Sequence, residues 1–381
     1  MLSTNVGSVK LKNPLLLASG YITETADFFL EAQKFGCSGI VTRSFKYNPP
    51  PERDKTPAPR YAFHPNTNGI AMLNCEWGSS VPWKRWVDDE IAKIRKTGAA
   101  VIISLSGREP ESVTRLMQEF NECDIDAYEV NVSCSHSGAI HGNLNIDADH
   151  LRILMKEIRP QTAKPIWIKL SYSTLLLNMA KIAEENGANA IVCTNSIGPG
   201  MLIDTETSVP KLGIMGGAGG VTGPVIFPIA LNCVYQLKRT LSIPIVGVGG
   251  IRTADDVVQM LMAGASAVQL YTTPMLEGPS IFAKIEYGLE GYFTRKELEV
   301  SDIIGIAQGK RPQHTFIAPI PTIHPERCIG CGACKNACVF KAIVMDNGAA
   351  HIQDKKCTAC SACINVCTAK AIKTPIQGEG I

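Results

Sequence analysis

Eight of the 14 cysteines fall between positions 328 and 367, in two runs that repeat at a constant offset of 29 residues. IHPERCIGCGACKNACVFKAI (323–343) aligns with IQDKKCTACSACINVCTAKAI (352–372), and the cysteines coincide along with Ala333 and Ala362, Asn336 and Asn365, and Lys341 and Lys370. This is a duplicated unit. Each copy spells C-x2-C-x2-C-x3-C, a spacing that ligates [4Fe–4S] clusters, the fourth cysteine of each run serving the other cluster. One cluster then takes Cys328, Cys331, Cys334 and Cys367, and the other takes Cys357, Cys360, Cys363 and Cys338. Structural zinc is the alternative, but zinc prefers four ligands in paired C-x2-C knuckles. Val339 and Thr368 stand where proline usually follows the fourth cysteine; neither change removes a ligand.

A different chemistry is suggested by EVNVSCSHSG (129–138), a strand-like run ending on Cys134. A free cysteine often packs as a small hydrophobe. Its thiol, with an ordinary pKa near ~8.5, also serves as a tunable proton donor or acceptor. The other cysteines are scattered, which fits a reducing cytoplasm better than a disulfide scaffold. With 37 basic and 35 acidic residues, nothing advertises a nucleic-acid partner. The N-terminus lacks the apolar stretch of a signal peptide. The uncharged run 212–237 carries six glycines and two prolines, which argues against a membrane span.

The elements that position these groups alternate regularly. Apolar runs at 14–20, 38–45, 99–107, 127–134, 165–171, 189–196, 243–250 and 266–272 read as strands, separated by segments of helical periodicity such as ESVTRLMQEFNE and ADDVVQMLMAGA. Eight β–α repeats predict an α/β fold of the (β/α)8 TIM-barrel class over 1–312, followed by a small α+β bacterial-ferredoxin-like domain over 313–381; an open doubly wound sheet is the alternative. In a barrel, functional groups gather where strands end. Those ends hold Ser19 and Gly20, Arg43 and Ser44, Asn131 to Cys134, Lys169, Asn195 and Ser196, Gly249 and Gly250, and Tyr271 and Thr272. GVGGIRTADD after the seventh strand offers glycine amides leading into a helix, suited to a phosphate. It lacks the third glycine of a dinucleotide fingerprint, so a phosphate-bearing flavin at the barrel mouth fits better. The charged stretch 84–96 reads as a solvated helix face.

These rim residues resemble the dihydroorotate/dihydropyrimidine dehydrogenase family over roughly residues 5–295, and the cysteine repeat resembles the appendage of the pyrimidine-reducing subunit of bacterial dihydropyrimidine dehydrogenase. The resemblance implies FMN and two [4Fe–4S] clusters as cofactors. It places Ala18, Ser19, Gly20, Arg43, Ser44, Lys169, Gly220, Gly249, Gly250, Tyr271 and Thr272 against the flavin, and Asn74, Asn131, Asn195 and Ser196 against a pyrimidine. NVSCSH is similar to the family's cysteine motif and assigns proton transfer to Cys134. Three positions depart from the family pattern: Arg43 for lysine, Ser135 for proline and Tyr271 for a small residue. The implied activity is interconversion of uracil or thymine with the 5,6-dihydro form; a dihydroorotate dehydrogenase-type enzyme, a reductase of another activated alkene, and a non-catalytic electron relay are the alternatives. No NAD-binding domain is visible, so a NAD(P)H-oxidising FAD/iron–sulfur subunit or a ferredoxin is the implied partner, in a homodimer or heterotetramer.

Overall fold

The computed structural model describes residues 1–48, 58–64, 71–76, 78–107, 109–133, 147–213, 216–310 and 320–374. Cys134 and the expected boundary at 312/313 lie outside them. Two compact units emerge, Met1–Gln308 and Gly309–Ile381.

In the first unit eight parallel strands close on themselves: β1 (Leu15–Leu17), β2 (Gly39–Val41), β3 (Ala100–Ser106), β4 (Ala127–Asn131), β5 (Ile166–Leu170), β6 (Ala190–Cys193), β7 (Ile245–Val248) and β8 (Ala267–Leu270). Each pairs with its neighbours in chain order, and β8 pairs with β1, so the open-sheet alternative is excluded. The strands read as almost continuous apolar runs because both faces are buried. Side chains alternate at period two: Leu16, Ile102, Trp167, Val192 and Val246 meet inside the barrel, while Leu15, Leu17, Ile103, Ile168 and Ile191 pack outward against helices. An antiparallel hairpin, Thr4–Val6 with Val9–Leu11, adds Val6, Val9 and Leu11 to the interior cluster.

The covering helices follow the same logic. Pro110–Phe120 buries Val113, Leu116, Met117 and Phe120, and Ala148–Ile158 buries Leu151, Leu154, Met155 and Ile158, each an i, i+3, i+4, i+7 stripe. Each such side chain contributes roughly 1.5–3 kcal/mol by leaving water. The expected solvated helix at 84–96 forms over Trp83–Arg95, with a π-type turn at Trp86–Glu90. Its inner face is not solvated: Trp86 and Glu90 are fully buried, and Glu90 accepts from Ala26 N at 2.9 Å and Arg85 Nε at 2.8 Å.

The second unit repeats a short pattern. Helices Ala333–Ala337 and Ala362–Asn365 occupy equivalent places, and two small antiparallel pairs, Thr322–Ile323 with Ile372–Lys373 and Ile343–Asp346 with Ala349–Ile352, flank them. The buried core of its described residues is slight, comprising Cys334, Ala342, Ile343, Ala350, Ala371 and Ile372. Among the described residues, no helix is long and apolar enough to cross a membrane.

Candidate active site and cysteine unit

The inward-facing register explains what the barrel holds. Two positions beyond the last apolar interior residue, six strands present a polar side chain and two a small residue: Ala18 after Leu16, Arg43 after Val41, Ser104 after Ile102, Glu129 after Ala127, Lys169 after Trp167, Thr194 after Val192, Gly250 after Val248 and Gln269 after Ala267. Above this layer, at the carboxyl ends of the strands, lies a cavity of about 370 Å³. Ala18, Ser19, Gly20, Arg43, Ser44, Asn74, Asn131, Lys169, Asn195, Ser196, Gly249, Gly250, Tyr271 and Thr272 all line it, so nearly every residue expected at the site converges there.

Lys169, Glu129 and Gln269 form the floor, buried to 4 %, 0 % and 1 % exposure. Lys169 Nζ donates to Glu129 Oε1 at 3.1 Å and to Gln269 Oε1 at 3.4 Å, and Gln269 Nε2 donates to Glu129 Oε2 at 2.7 Å. Sequence reasoning missed Glu129 and Gln269. The available signal was a polar residue in the middle of an otherwise apolar strand, on the inward parity of AYEVN and AVQL.

On one wall, Asn195 Nδ2 donates to Asn131 Oδ1 at 3.3 Å and also to the Ser133 carbonyl. Asn131 Oδ1 accepts from Ser133 N at 3.1 Å, and Asn195 Oδ1 accepts from Ser196 N at 2.8 Å. The two amides are thus set against each other by the β4 and β6 ends. Asn74 arrives from elsewhere, on strand Met72–Asn74 of a four-stranded sheet standing beside the barrel, and its Nδ2 donates to Gly220 O at 3.3 Å. Gly220, expected against the flavin, pairs with Asn74 in that sheet and is not among the lining residues.

Arg43 is 2 % exposed and forms an ion pair with Glu24, with its guanidinium 5.3 Å from the Tyr21 ring centre. Glu24 also accepts from Ser79 Oγ at 2.7 Å and Val81 N at 2.6 Å. Beside it, Glu76 accepts from the phenols of Tyr61 and Tyr271 and from Tyr21 N at 3.0 Å. Burial pushes the Glu76 carboxyl above its ordinary range, opposed by the Tyr271 hydrogen bond and the Arg43 charge. Burial, then the adjacent carboxylate, push the Tyr271 phenol well above its own ordinary value. The departure at Tyr271 is accommodated by Gly20, where a Cβ would lie 2.2 Å from the tyrosine ring.

The far end of the cavity suits a phosphate. Gly249 and Gly250 have φ of +121° and +74°, and a Cβ on Gly250 would come within 2.7 Å of Phe227 N. The following helix, Ala254–Ala263, is already closed by a capping box between Thr253 and Asp256, so the loop amides rather than the helix end are left for an anion. Thr222, Gly223, Thr272 and Thr273 also line this end, and Thr222 Oγ1 lies 3.1 Å from Thr272 Oγ1. A cavity with a lysine in its floor, amide donors on one wall and a glycine–threonine cradle fits FMN.

In the second unit Cys328, Cys331, Cys334 and Cys367 line one apolar cavity, the set expected for the first cluster. Burial pushes the Cys363 thiol up, and the neighbours opposing its ionisation include Cys357 and Cys360 of the other set. Backbone donors repeat as the sequence does: Ala342 N donates to Cys338 Sγ and Ala371 N to Cys367 Sγ, each at 3.3 Å. Such bonds to ligand sulfurs tune a cluster's potential. No disulfide involves the described cysteines.

A (β/α)8 barrel with this cavity, joined to a cysteine unit with [4Fe–4S] spacing, defines a flavin and iron–sulfur oxidoreductase. The family model described as dihydroorotate dehydrogenase matches residues 1–293, and that of a 4Fe-4S dicluster domain matches residues 320–368. The chain belongs to the dihydroorotate dehydrogenase family, whose members act on CH–CH bonds. It is 31% identical over 307 residues to the catalytic subunit of dihydroorotate dehydrogenase B (NAD(+)) from Methanocella arvoryzae, covering 80% of this chain and 97% of the relative. The subunits of the same name from Methanothermobacter thermautotrophicus and Pyrococcus furiosus are each 33% identical, covering 81% and 79% of this chain and 98% and 96% of the relatives. Nearly all of each relative is therefore aligned, over about four fifths of this chain.

Proposed function

We propose that this chain interconverts dihydroorotate and orotate, with electrons passing between FMN, two [4Fe–4S] clusters held by the domain 313–381, and an external partner. The observation that carries the pyrimidine reading is the meeting of Asn74, Asn131 and Asn195 in one cavity over the Lys169 floor. Each asparagine amide offers both donor and acceptor, which matches the alternating N–H and C=O groups of a pyrimidine edge. Ala18, Ser19, Gly20 and Ser44 would lie along the flavin, Lys169 beneath it, and Gly249, Gly250 and Thr272 at its phosphate. FMN, when bound, supplies the hydride chemistry at one ring carbon. Cys134, three residues beyond Asn131, takes or gives the proton at the adjacent carbon, on the opposite face of the ring.

The relatives named for dihydroorotate support that ring over the uracil or thymine expected from the sequence. One observation favours an uncharged ring as the second reading. Arg43, the cation best suited to a carboxylate, is already paired with Glu24, and a second carboxylate, Glu76, lines the cavity. The relatives' names, a catalytic subunit of an NAD(+) enzyme, support a separate electron-handling protein: a NAD(P)H-oxidising FAD/iron–sulfur subunit, or a ferredoxin. The scattered thiols fit work in the cytoplasm.

The test is anaerobic mixing of the oxidised holoprotein with dihydroorotate, dihydrouracil and dihydrothymine while flavin absorbance is followed. Bleaching by dihydroorotate supports the proposal, bleaching by the uncharged rings alone selects the second reading, and bleaching by none removes the pyrimidine assignment. Iron analysis should return eight atoms per FMN.

A further inference from the structure

A lysine under a flavin needs only to reach it, yet Lys169 is held from below by two groups with no evident part in binding a ring. Glu129 sits on β4, Lys169 on the adjacent β5 and Gln269 on β8, and together they close the barrel between the apolar interior and the cavity. Glu129 is fully buried, and both its oxygens are used, one by the ammonium and one by the Gln269 amide. The second bond sets the orientation of Gln269. With Nε2 donating to Glu129, Oε1 is turned to Lys169 as a second acceptor. Two of the three ammonium hydrogens are thereby committed within the floor, and Lys169 keeps one for the cavity it lines. The floor as a whole is neutral, one cation against one anion. Ion pairs without water are little screened, so a unit change of charge here is felt strongly by a group resting on it.

We propose that Glu129 is a potential-setting counter-charge and Gln269 its positioning partner, together fixing how much positive field Lys169 delivers to the flavin. The inference rests on FMN occupying the cavity above Lys169. A reduced flavin carries more negative charge than an oxidised one, so the net charge of the floor controls the ratio of the two affinities. Glu129→Gln leaves Lys169 uncompensated, and the midpoint potential should rise. Gln269→Met removes the second acceptor from Lys169 and the donor from Glu129 with no change of charge, and the potential should rise by less. The expected change in Glu129→Gln is at least tenfold in the affinity ratio for reduced over oxidised FMN, about 30 mV for a two-electron couple.

The experiment is anaerobic redox titration of the flavin in full-length wild-type and variant holoprotein, with FMN content measured first. A purely structural ion pair predicts lower thermal stability in the variants with no change in potential. A rise in both variants, larger in Glu129→Gln, supports the proposal; unchanged potentials, or a fall in Glu129→Gln, overturn it. If Glu129→Gln does not yield folded protein, the rise expected in Gln269→Met carries the test alone, and no rise overturns the proposal. A wild-type chain purified with its clusters but unable to bind added FMN would overturn the cofactor reading, and this inference with it.

Discussion

In the barrel, the residues lining the cavity run from Ala18 to Thr273 and come from every strand; in the cysteine unit, all eight candidate ligands lie between positions 328 and 367. The first site is a by-product of closure. A large apolar core holds the strands, and period-two alternation delivers a polar side chain from six of the eight to the same rim. The second has almost no core of its own, only six buried core side chains among its described residues. A unit this small ordinarily needs staples, and metal–thiolate bonds to the clusters are the ones its sequence provides. The barrel should therefore stay folded when it loses its ligand, whereas the cysteine unit should depend on its metal.

The largest effect expected from this contrast comes from cutting the two regions apart functionally. Cys334→Ala removes the most buried ligand of the first set. It should abolish steady-state electron transfer to an external acceptor, while flavin reduction by substrate in a single turnover keeps its rate. Loss of both rates would show that the barrel leans on the cysteine unit for its own integrity.

Within the barrel, Cys134→Ser should lower the single-turnover rate by a factor on the order of 10²–10⁴, the usual worth of a positioned acid or base. The hydroxyl is a far weaker acid than the thiol and differs little in size. FMN content and substrate binding should be preserved, as a titration of the variant with orotate would check. A rate close to wild type would assign the proton to another group.

The contrast also explains what could be read from sequence. The cluster ligands are local and repeat, so spacing alone gathers them. The barrel came from counting alternating segments, and its strand ends gave most of the rim, because each strand's last residues must reach it. Glu129 and Gln269 escaped because they lie inside strands, where polarity looks like an exception unless inward parity is followed from Ala127 and Ala267. Glu24 and Glu76 escaped for another reason. Their partners, Arg43, Tyr61 and Tyr271, are distant in sequence, and no spacing links them.

A smaller effect should follow from the asparagines. Leaving one polar group of a buried ring unpaired costs about 1–3 kcal/mol, so alanine at Asn74, Asn131 or Asn195 should weaken substrate binding roughly tenfold or more. Asn131→Ala should also disturb Asn195, whose amide is bonded to it, so the double variant should lose less than the product of the singles. Strict multiplicativity would show that the two act separately. Unchanged kinetics in all three single variants would remove the pyrimidine from this wall.

The smallest effect, and the one that decides between the two rings, is expected from Glu76→Gln. Because burial raises the folded-state pKa of Glu76 above the ordinary carboxylate value of about 4.3, the folded chain holds this proton more tightly than the unfolded chain. Its contribution to stability is therefore greatest below the ordinary value and falls as pH rises towards the raised one. Glutamine removes that decline, and the slope of stability against pH across this window should flatten. The substitution keeps an oxygen for the two phenols, and Tyr21 N retains Tyr271 Oη, 3.1 Å away, as an acceptor. If the bound ring carries a carboxylate, then at pH above the raised pKa, where Glu76 is ionised, the substitution should lower the Michaelis constant for dihydroorotate by up to about tenfold, or about 1.4 kcal/mol, and leave an uncharged dihydropyrimidine unaffected. The pH slope and the substrate preference are independent readings of the same carboxylate. A flattened slope with no change in preference would confirm its burial and place it away from the ring.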